Sequence, residues 1–348
     1  MERVDHVMQH QKNHLAPQDF GVSRRRILRG LAATAGALAI SRGSAIAQSN
    51  YPTNTVRIIS PFAPGGNTDI VARLLANHLT TAWHQPVIVE NRAGAGATIG
   101  TDYVAKSPPD GQTLLIATLA ATAIAPSVYS KLPYDPSKDL VAITGLTIGY
   151  SAIGITPSLP VRTLPELIAY ARARPKQLFF ASPGIGVSSH LAMENFAHVT
   201  NLQIDHIPYH GSAPALTAVM TGEVQMTFDP ISTMAPLIQD GKIRALAVSG
   251  PKRSPLLPDV PTLDELGYPN VQSAAWTGLM APAGTPRQII DKIQHDAQSL
   301  LHGEEFKSRL AAMANEVLDL PSEEFADFVK KQTQSWGEIA QRVGAKLD

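Results

Sequence analysis

Apolar residues along this chain follow two rhythms that alternate from Tyr51 onward. Short β-branched runs at Val56–Ser60, 87–90 and Thr113–Thr118 predict strands, and apolar residues at helical spacing predict helices over 70–79 and Thr98–Ala105. A Pro/Asp-rich stretch at 132–139 interrupts the pattern before a long β-like run, 141–156. The alternation then resumes with helices over 164–173, 189–199, 213–221 and 233–239 and strands over 178–181, 203–207, 224–229 and 243–249. A Pro-rich passage and a short helix near 263–266 lead to a strand over 275–280, and the chain ends in helices at 289–301, 305–313 and 325–343. Strand-helix alternation with short turns predicts an α/β protein. Two lobes are expected: 51–150 plus 274–348 form the first, and 151–273 the second. Strands 141–156 and 275–280 connect them, and the cleft between them is the default binding site.

The turn Pro61-Phe62-Ala63-Pro64-Gly65-Gly66-Asn67-Thr68-Asp69 joins the first strand to the first helix. Its glycines permit unusual backbone angles, and Asn67 or Thr68 is placed to cap the helix. A glycine turn opening into a helix start presents N–H groups and a positive dipole end, which suits an anion. Asp69, in the first helical turn, offsets the dipole and is left out of the ligand contacts.

Composition narrows the function. The chain has 348 residues, 29 Lys or Arg, 29 Asp or Glu, and no cysteine. Disulfides, thiolate catalysis, cysteine-ligated metals and a lipidated cysteine are thereby excluded. Ser23-Arg24-Arg25-Arg26-Ile27-Leu28-Arg29, a mild apolar run over 31–40 and Ala45-Ile46-Ala47 resemble a twin-arginine signal peptide over residues 1–47, so the mature protein is expected in the periplasm. Without that segment 22 basic residues face 26 acidic ones, which argues against a nucleic-acid partner. The apolar run is too short for a stable span, so no membrane insertion of the mature chain is expected. His6, His10 and His14 share a helical spacing but fall in the segment expected to be removed.

Four more turns follow predicted strands: 118–122, 182–190, 208–215 and 229–232. In open α/β sheets, ligands bind beyond the carboxyl ends of the strands. None of the five turns contains Lys or Arg, and preorganised amides and ordered waters can hold a carboxylate without a formal counter-charge. Gly94-Ala95-Gly96-Ala97-Thr98-Ile99-Gly100 lacks dinucleotide spacing, and no P-loop is present. Ser189 and His190 are adjacent on a helix and point apart, so they do not form a nucleophile–base pair. His206 and His210 lack a third ligand at metal spacing. No catalytic residue, metal site or cofactor is expected.

Six signposts carry a family resemblance: Tyr51-Pro52; Pro64-Gly65-Gly66 with Asp69; Val89-Glu90-Asn91-Arg92-Ala93-Gly94-Ala95-Gly96; Gly184-x-Gly186-x-Ser188-Ser189-His190; Pro208-Tyr209-x-Gly211-Ser212-Ala213-Pro214-Ala215; and Ala281-Pro282-x-Gly284-Thr285-Pro286. In order and spacing they resemble the tripartite tricarboxylate transporter substrate-binding receptors, the Bug (TctC-like) family. The resemblance implies a two-lobed, type II (Venus flytrap) periplasmic binding fold. It also implies a monomeric receptor for a small organic carboxylate and delivery to membrane permease subunits of a tripartite transporter. An extracytoplasmic sensor using the same closure is the alternative, and a periplasmic enzyme a third class. By position, ligand contacts are expected from Phe62, Gly66, Asn67 and Thr118 on the first lobe and from Gly184, Ser188, Ser189, Tyr209, Gly211 and Asp229 on the second. Phe62 would wall the ligand, and Asp229 would receive an amine or hydroxyl. Ile185 and Leu119-Ala120-Ala121 replace more polar versions of their turns, which implies a less polar pocket than in amino-acid or citrate receptors.

Overall fold

The computed structural model describes residues 51–271 and 273–347; the signal-peptide reading and its three histidines lie outside the described residues. Strands β1 (Val56–Ser60), β2 (Val87–Asn91) and β3 (Thr113–Thr118) pair in parallel in the order β2-β1-β3. Helices α1 (Asn67–Trp83) and α2 (Thr98–Ala105) connect them. Every residue of β3 is buried, as a strand covered on both faces requires.

Strand β4 (Leu140–Ile155) runs through both halves of the sheet. Up to Tyr150 it pairs antiparallel with β9 (Ala274–Pro282); from Ser151 onward it pairs antiparallel with β7 (Met226–Pro230) and β8 (Arg244–Val248). The second half continues from β7 through β5 (Phe179–Ser182) to β6 (Asp205–Pro208), all parallel. Helices α3 (Leu164–Arg172), α4 (Ser188–Thr200), α5 (Ser212–Thr221) and α6 (Ile231–Gln239) alternate with these strands. The sheet is therefore mixed, with antiparallel pairs where the halves join.

After β9 come α7 (Arg287–Leu301), α8 (Glu304–Ala312), the short β10 (Asn315–Val317) antiparallel to β4, and α9 (Ser322–Arg342). Phe325 of α9 fills the space over Gly278 of β9, where any Cβ would collide with its ring. Trp276 packs edge-on against Phe325 and Phe328, with ring centroids 5.6 Å away in each case. Truncating Phe325 would empty this core at a cost of about 3–5 kcal/mol.

The helix expected near 263–266 is a succession of turns. Leu266 N–H reaches Thr262 O and Leu263 O, but Gly267, at φ 87°, and Pro269 stop propagation after one turn. Among the described residues no helix is long and apolar enough to cross a membrane.

Candidate ligand-binding site

The first turn is held from behind by a polar cluster built around one buried carboxylate. Asp69, only 3% exposed, accepts the Gly65 N–H at 3.0 Å, Arg73 Nε at 2.9 Å and Asn91 Nδ2 at 2.8 Å. Asn91 Nδ2 also donates to Phe62 O at 3.0 Å. The Arg73 guanidinium, with the Gly65 and Asn91 donors adding to it against burial, draws the Asp69 carboxyl down to about 2. Its charge is thus offset within the cluster. Neither Asn67 nor Thr68 caps α1: Gly66 is the N-cap and there is no side-chain capping bond. Gly65 needs its glycine, at φ 87°; Gly66, at φ −80°, does not, and the nearest atom to a Cβ there is Ala63 O at 3.9 Å. Phe62, Gly66 and Asn67 are all exposed at this turn.

Thr118 ends β3 with its hydroxyl buried and without a hydrogen-bond partner. The register aligns it with Thr277 of β9, which aligns with Thr147 of β4; the two partner hydroxyls lie 2.7 Å apart. Thr147 and Thr277 were not legible as neighbours of Thr118, because strand pairing brings them in from distant sequence. Beyond Thr118 the chain enters a π-helical turn, Ala120–Ile124, anchored by Thr122 Oγ1 on Thr118 O at 2.7 Å.

The second half gathers three turns around one carboxylate. Asp229, fully buried, accepts Ser189 Oγ at 3.2 Å and Ser212 Oγ at 3.3 Å on Oδ1. Thr233 Oγ1 lies 3.0 Å from Oδ2 and 2.8 Å from Pro230 O, so its single proton is shared. Burial pushes the Asp229 carboxyl up, and the three hydroxyls oppose the rise. With no exposed surface, Asp229 meets its surroundings at this end through Ser189 and Ser212. Backbone bonds knit the same turns: Tyr209 N–H to Ser182 O at 2.9 Å and Gly211 N–H to Pro183 O at 3.1 Å. Gly211, at φ 115°, has no atom within 4 Å of a built Cβ, so the space beside Ser212 is open. Tyr209 spends its hydroxyl on Glu223 Oε1 at 3.2 Å. Ser188 and Gly184 are half-buried at the start of α4 and in its approach.

Beneath that approach His190 and His206 stack, centroids 4.0 Å apart, with Phe180 4.7 Å beyond His206. Gly186 N–H donates to His190 Nδ1 at 3.2 Å, which places the neutral ring's proton on Nε2. Ser182 Oγ donates to Gly184 O at 2.8 Å, so His206 Nε2, 2.7 Å away, is the donor to Ser182. Burial lowers both imidazoles to about 4. They are loop supports, built as a ring stack.

A cavity of about 700 Å³ lies elsewhere, lined by Tyr150, Asn195, His198, Trp336 and Arg342 among others, and none of the ten expected contact residues borders it. The strand-end turns, with four helix starts lacking side-chain caps, remain the place where chemistry converges.

Such a mixed α/β sheet with loops gathered at strand ends is the architecture of periplasmic solute-binding proteins. The profile described as "Tripartite tricarboxylate transporter family receptor" matches residues 71–345, and the chain belongs to this TctC-type, Bug family of receptors. Protein BugT of Bordetella pertussis is 35% identical over 303 residues, 87% of this chain and 93% of BugT. Among solved structures, Rpa4515 of R. palustris with adipate has a TM-score of 0.74 at 34% identity, covering 84% of this chain and 98% of that one. MatC from Rhodopseudomonas palustris with bound malate has a TM-score of 0.70 at 32% identity, covering 83% and 99%. The periplasmic binding protein BugD has a TM-score of 0.70 at 34% identity, covering 85% and 99%. The matched family is one of receptors, BugD is a periplasmic binding protein, and two of the three structures carry a carboxylate.

Proposed function

We propose that this protein is a periplasmic receptor that closes on a small organic carboxylate and delivers it to the membrane permease of a tripartite tricarboxylate-type transporter. The proposed lobes are 51–150 with 274–348, and 151–273. Export by a twin-arginine signal over 1–47 and a monomeric mature protein belong to the same reading. The observation that carries it is the set of uncapped helix starts at strand carboxyl ends, free of cationic side chains, in a chain of this family. The proposed contacts are Phe62, Gly66, Asn67 and Thr118 from the first lobe, and Gly184, Ser188, Ser189, Tyr209 and Gly211 from the second, with Asp229 behind them. Thr118 supports the assignment, since its unpartnered buried hydroxyl needs a donor or acceptor that a ligand or its water can supply.

The test is thermal melting of the purified mature protein against a library of small carboxylates. At least one acid is expected to raise the melting temperature by several degrees at millimolar concentration, because binding to the folded state stabilises it by mass action. If the whole library leaves the melt unmoved, the receptor reading fails.

A further inference from the structure

Asp229 already holds the anion position of the second half. The helices α4, α5 and α6 each send a hydroxyl from the first turn to this one carboxylate: Ser189, Ser212 and Thr233. A serine hydroxyl has one proton, and both serine protons are directed at Asp229 Oδ1. What Ser189 and Ser212 retain for a ligand is therefore lone pairs. A ligand carboxylate is acceptor-only as well. Placed against the two serines it would meet acceptors, with a buried carboxylate just behind them that already offsets the N–H groups at the starts of α4 and α5, and two carboxylates sharing a site do not both stay ionised without cost. A ligand hydroxyl, in contrast, donates and carries no charge.

The first half differs. The charge of Asp69 is offset by Arg73 at 2.9 Å, so the start of α1 keeps its preference for an anion. The two ends of the site are thus chemically unlike: one suits a carboxylate and the other a hydrogen-bond donor.

We propose that the ligand is a hydroxycarboxylate, its carboxylate at the Gly66–Asn67 helix start and its distal hydroxyl donating to Ser212 and Ser189. This rests on the receptor reading above. Asp229 is a positioning residue: it fixes the direction of the serine protons and so selects a donor over a second carboxylate.

The experiment is calorimetric titration of the mature protein with length-matched pairs: 4-hydroxybutanoate and succinate, 5-hydroxypentanoate and glutarate, 6-hydroxyhexanoate and adipate, with the ω-amino acid of each length. At the best-fitting length the hydroxy acid is expected to bind about tenfold or more tightly than the diacid, since an unpaired buried acceptor is costly. A diacid that binds equally or better overturns the proposal. An amino acid that binds more tightly than the hydroxy acid also overturns it, because the charge of Asp229 would then dominate.

Asp229→Asn replaces an acceptor oxygen by a donor and releases a serine proton, so the preference should shrink to about threefold or less by improved diacid binding. An unchanged preference assigns the selectivity elsewhere and overturns the proposal. Should that variant not fold, Ser212→Ala serves instead, with hydroxy-acid binding expected to weaken more than diacid binding; equal weakening of both overturns it. Binding of some acids without preference defeats only this assignment. Binding of no acid at all defeats the receptor reading with it.

Discussion

Adjacent glycines in the first turn separate backbone need from ligand need. Gly65 sits at φ 87°, where a side chain costs about 1–2 kcal/mol of backbone strain even in open space. Gly66 sits at φ −80° with room for a Cβ, and no backbone demand explains a glycine there. Gly66→Val, at the N-cap of α1, is expected to cost about 1 kcal/mol or less, or about 2–4 °C in melting temperature, yet to weaken carboxylate binding at least about tenfold by standing over the amides of α1. Gly65→Val should lower stability first. Parallel melting and titration of the two variants checks this, and retained affinity in Gly66→Val would make the turn a plain connection. That this turn draws on glycine was legible in the sequence, but not which of the two glycines needs it, because backbone angle at a Pro-Gly-Gly turn depends on how Asp69 and Asn91 tie it down.

At the scale of elements, the approach to α4 rests on a buried imidazole pair, which makes its stability pH-dependent. His190 and His206 titrate near 4 in the fold against 6.5 when free, so the unfolded chain binds protons first as pH falls below 6.5. Stability is then lost progressively between about 6.5 and 4. Protonating His190 also puts a hydrogen on Nδ1, the atom that accepts the Gly186 N–H. Glu194, 3.8 Å from His190 Nε2, and Asp229 have raised carboxyl groups and oppose the trend near its acid end. Asp69, near 2, contributes stability that is lost only below about 3.8. Melting curves should therefore decline first near pH 6.5, and His206→Gln, which can still donate to Ser182, should roughly halve that slope; an unchanged slope would place the titration elsewhere. Strong periodicity made the α/β class and most elements readable from sequence, as with α1 and α7. It failed where elements are made by context: β10 is three residues that β4 recruits, and the turn at 263–266 had a helical pair of leucines without length. Likewise, the serine and aspartate types near the site were readable, but not that Asp229 would consume two serine protons, because that depends on three turns meeting.

At the scale of the whole described chain, residues 151 and 273, where the backbone passes between the two halves of the sheet, are stitched by serines to each other and to residue 249, at the end of β8. Ser151 N–H is shared between Ser249 Oγ at 3.0 Å and Ser273 O at 3.2 Å, Ser273 Oγ donates to Ser151 Oγ at 3.0 Å, and Ser249 Oγ donates to Ser273 O. If the halves close on a ligand, these passages are where backbone angles must change, since β4 switches partners there from β9 to β7 and β8. On the proposed reading the stitch would narrow the range of open arrangements without touching the proposed contacts. Ser249→Ala removes a hydroxyl that both accepts and donates, at a cost of about 1 kcal/mol, or about 2 °C in melting temperature for a chain of this size. The expected result in solution scattering is a broader distribution of sizes for the unliganded variant and the same profile as wild type once saturated. Affinity should fall only by the fraction of closure-competent molecules lost, about threefold or less for ~0.6 kcal/mol. Identical scattering of variant and wild type without ligand would leave the serines as a static brace and move the hinge elsewhere along β4.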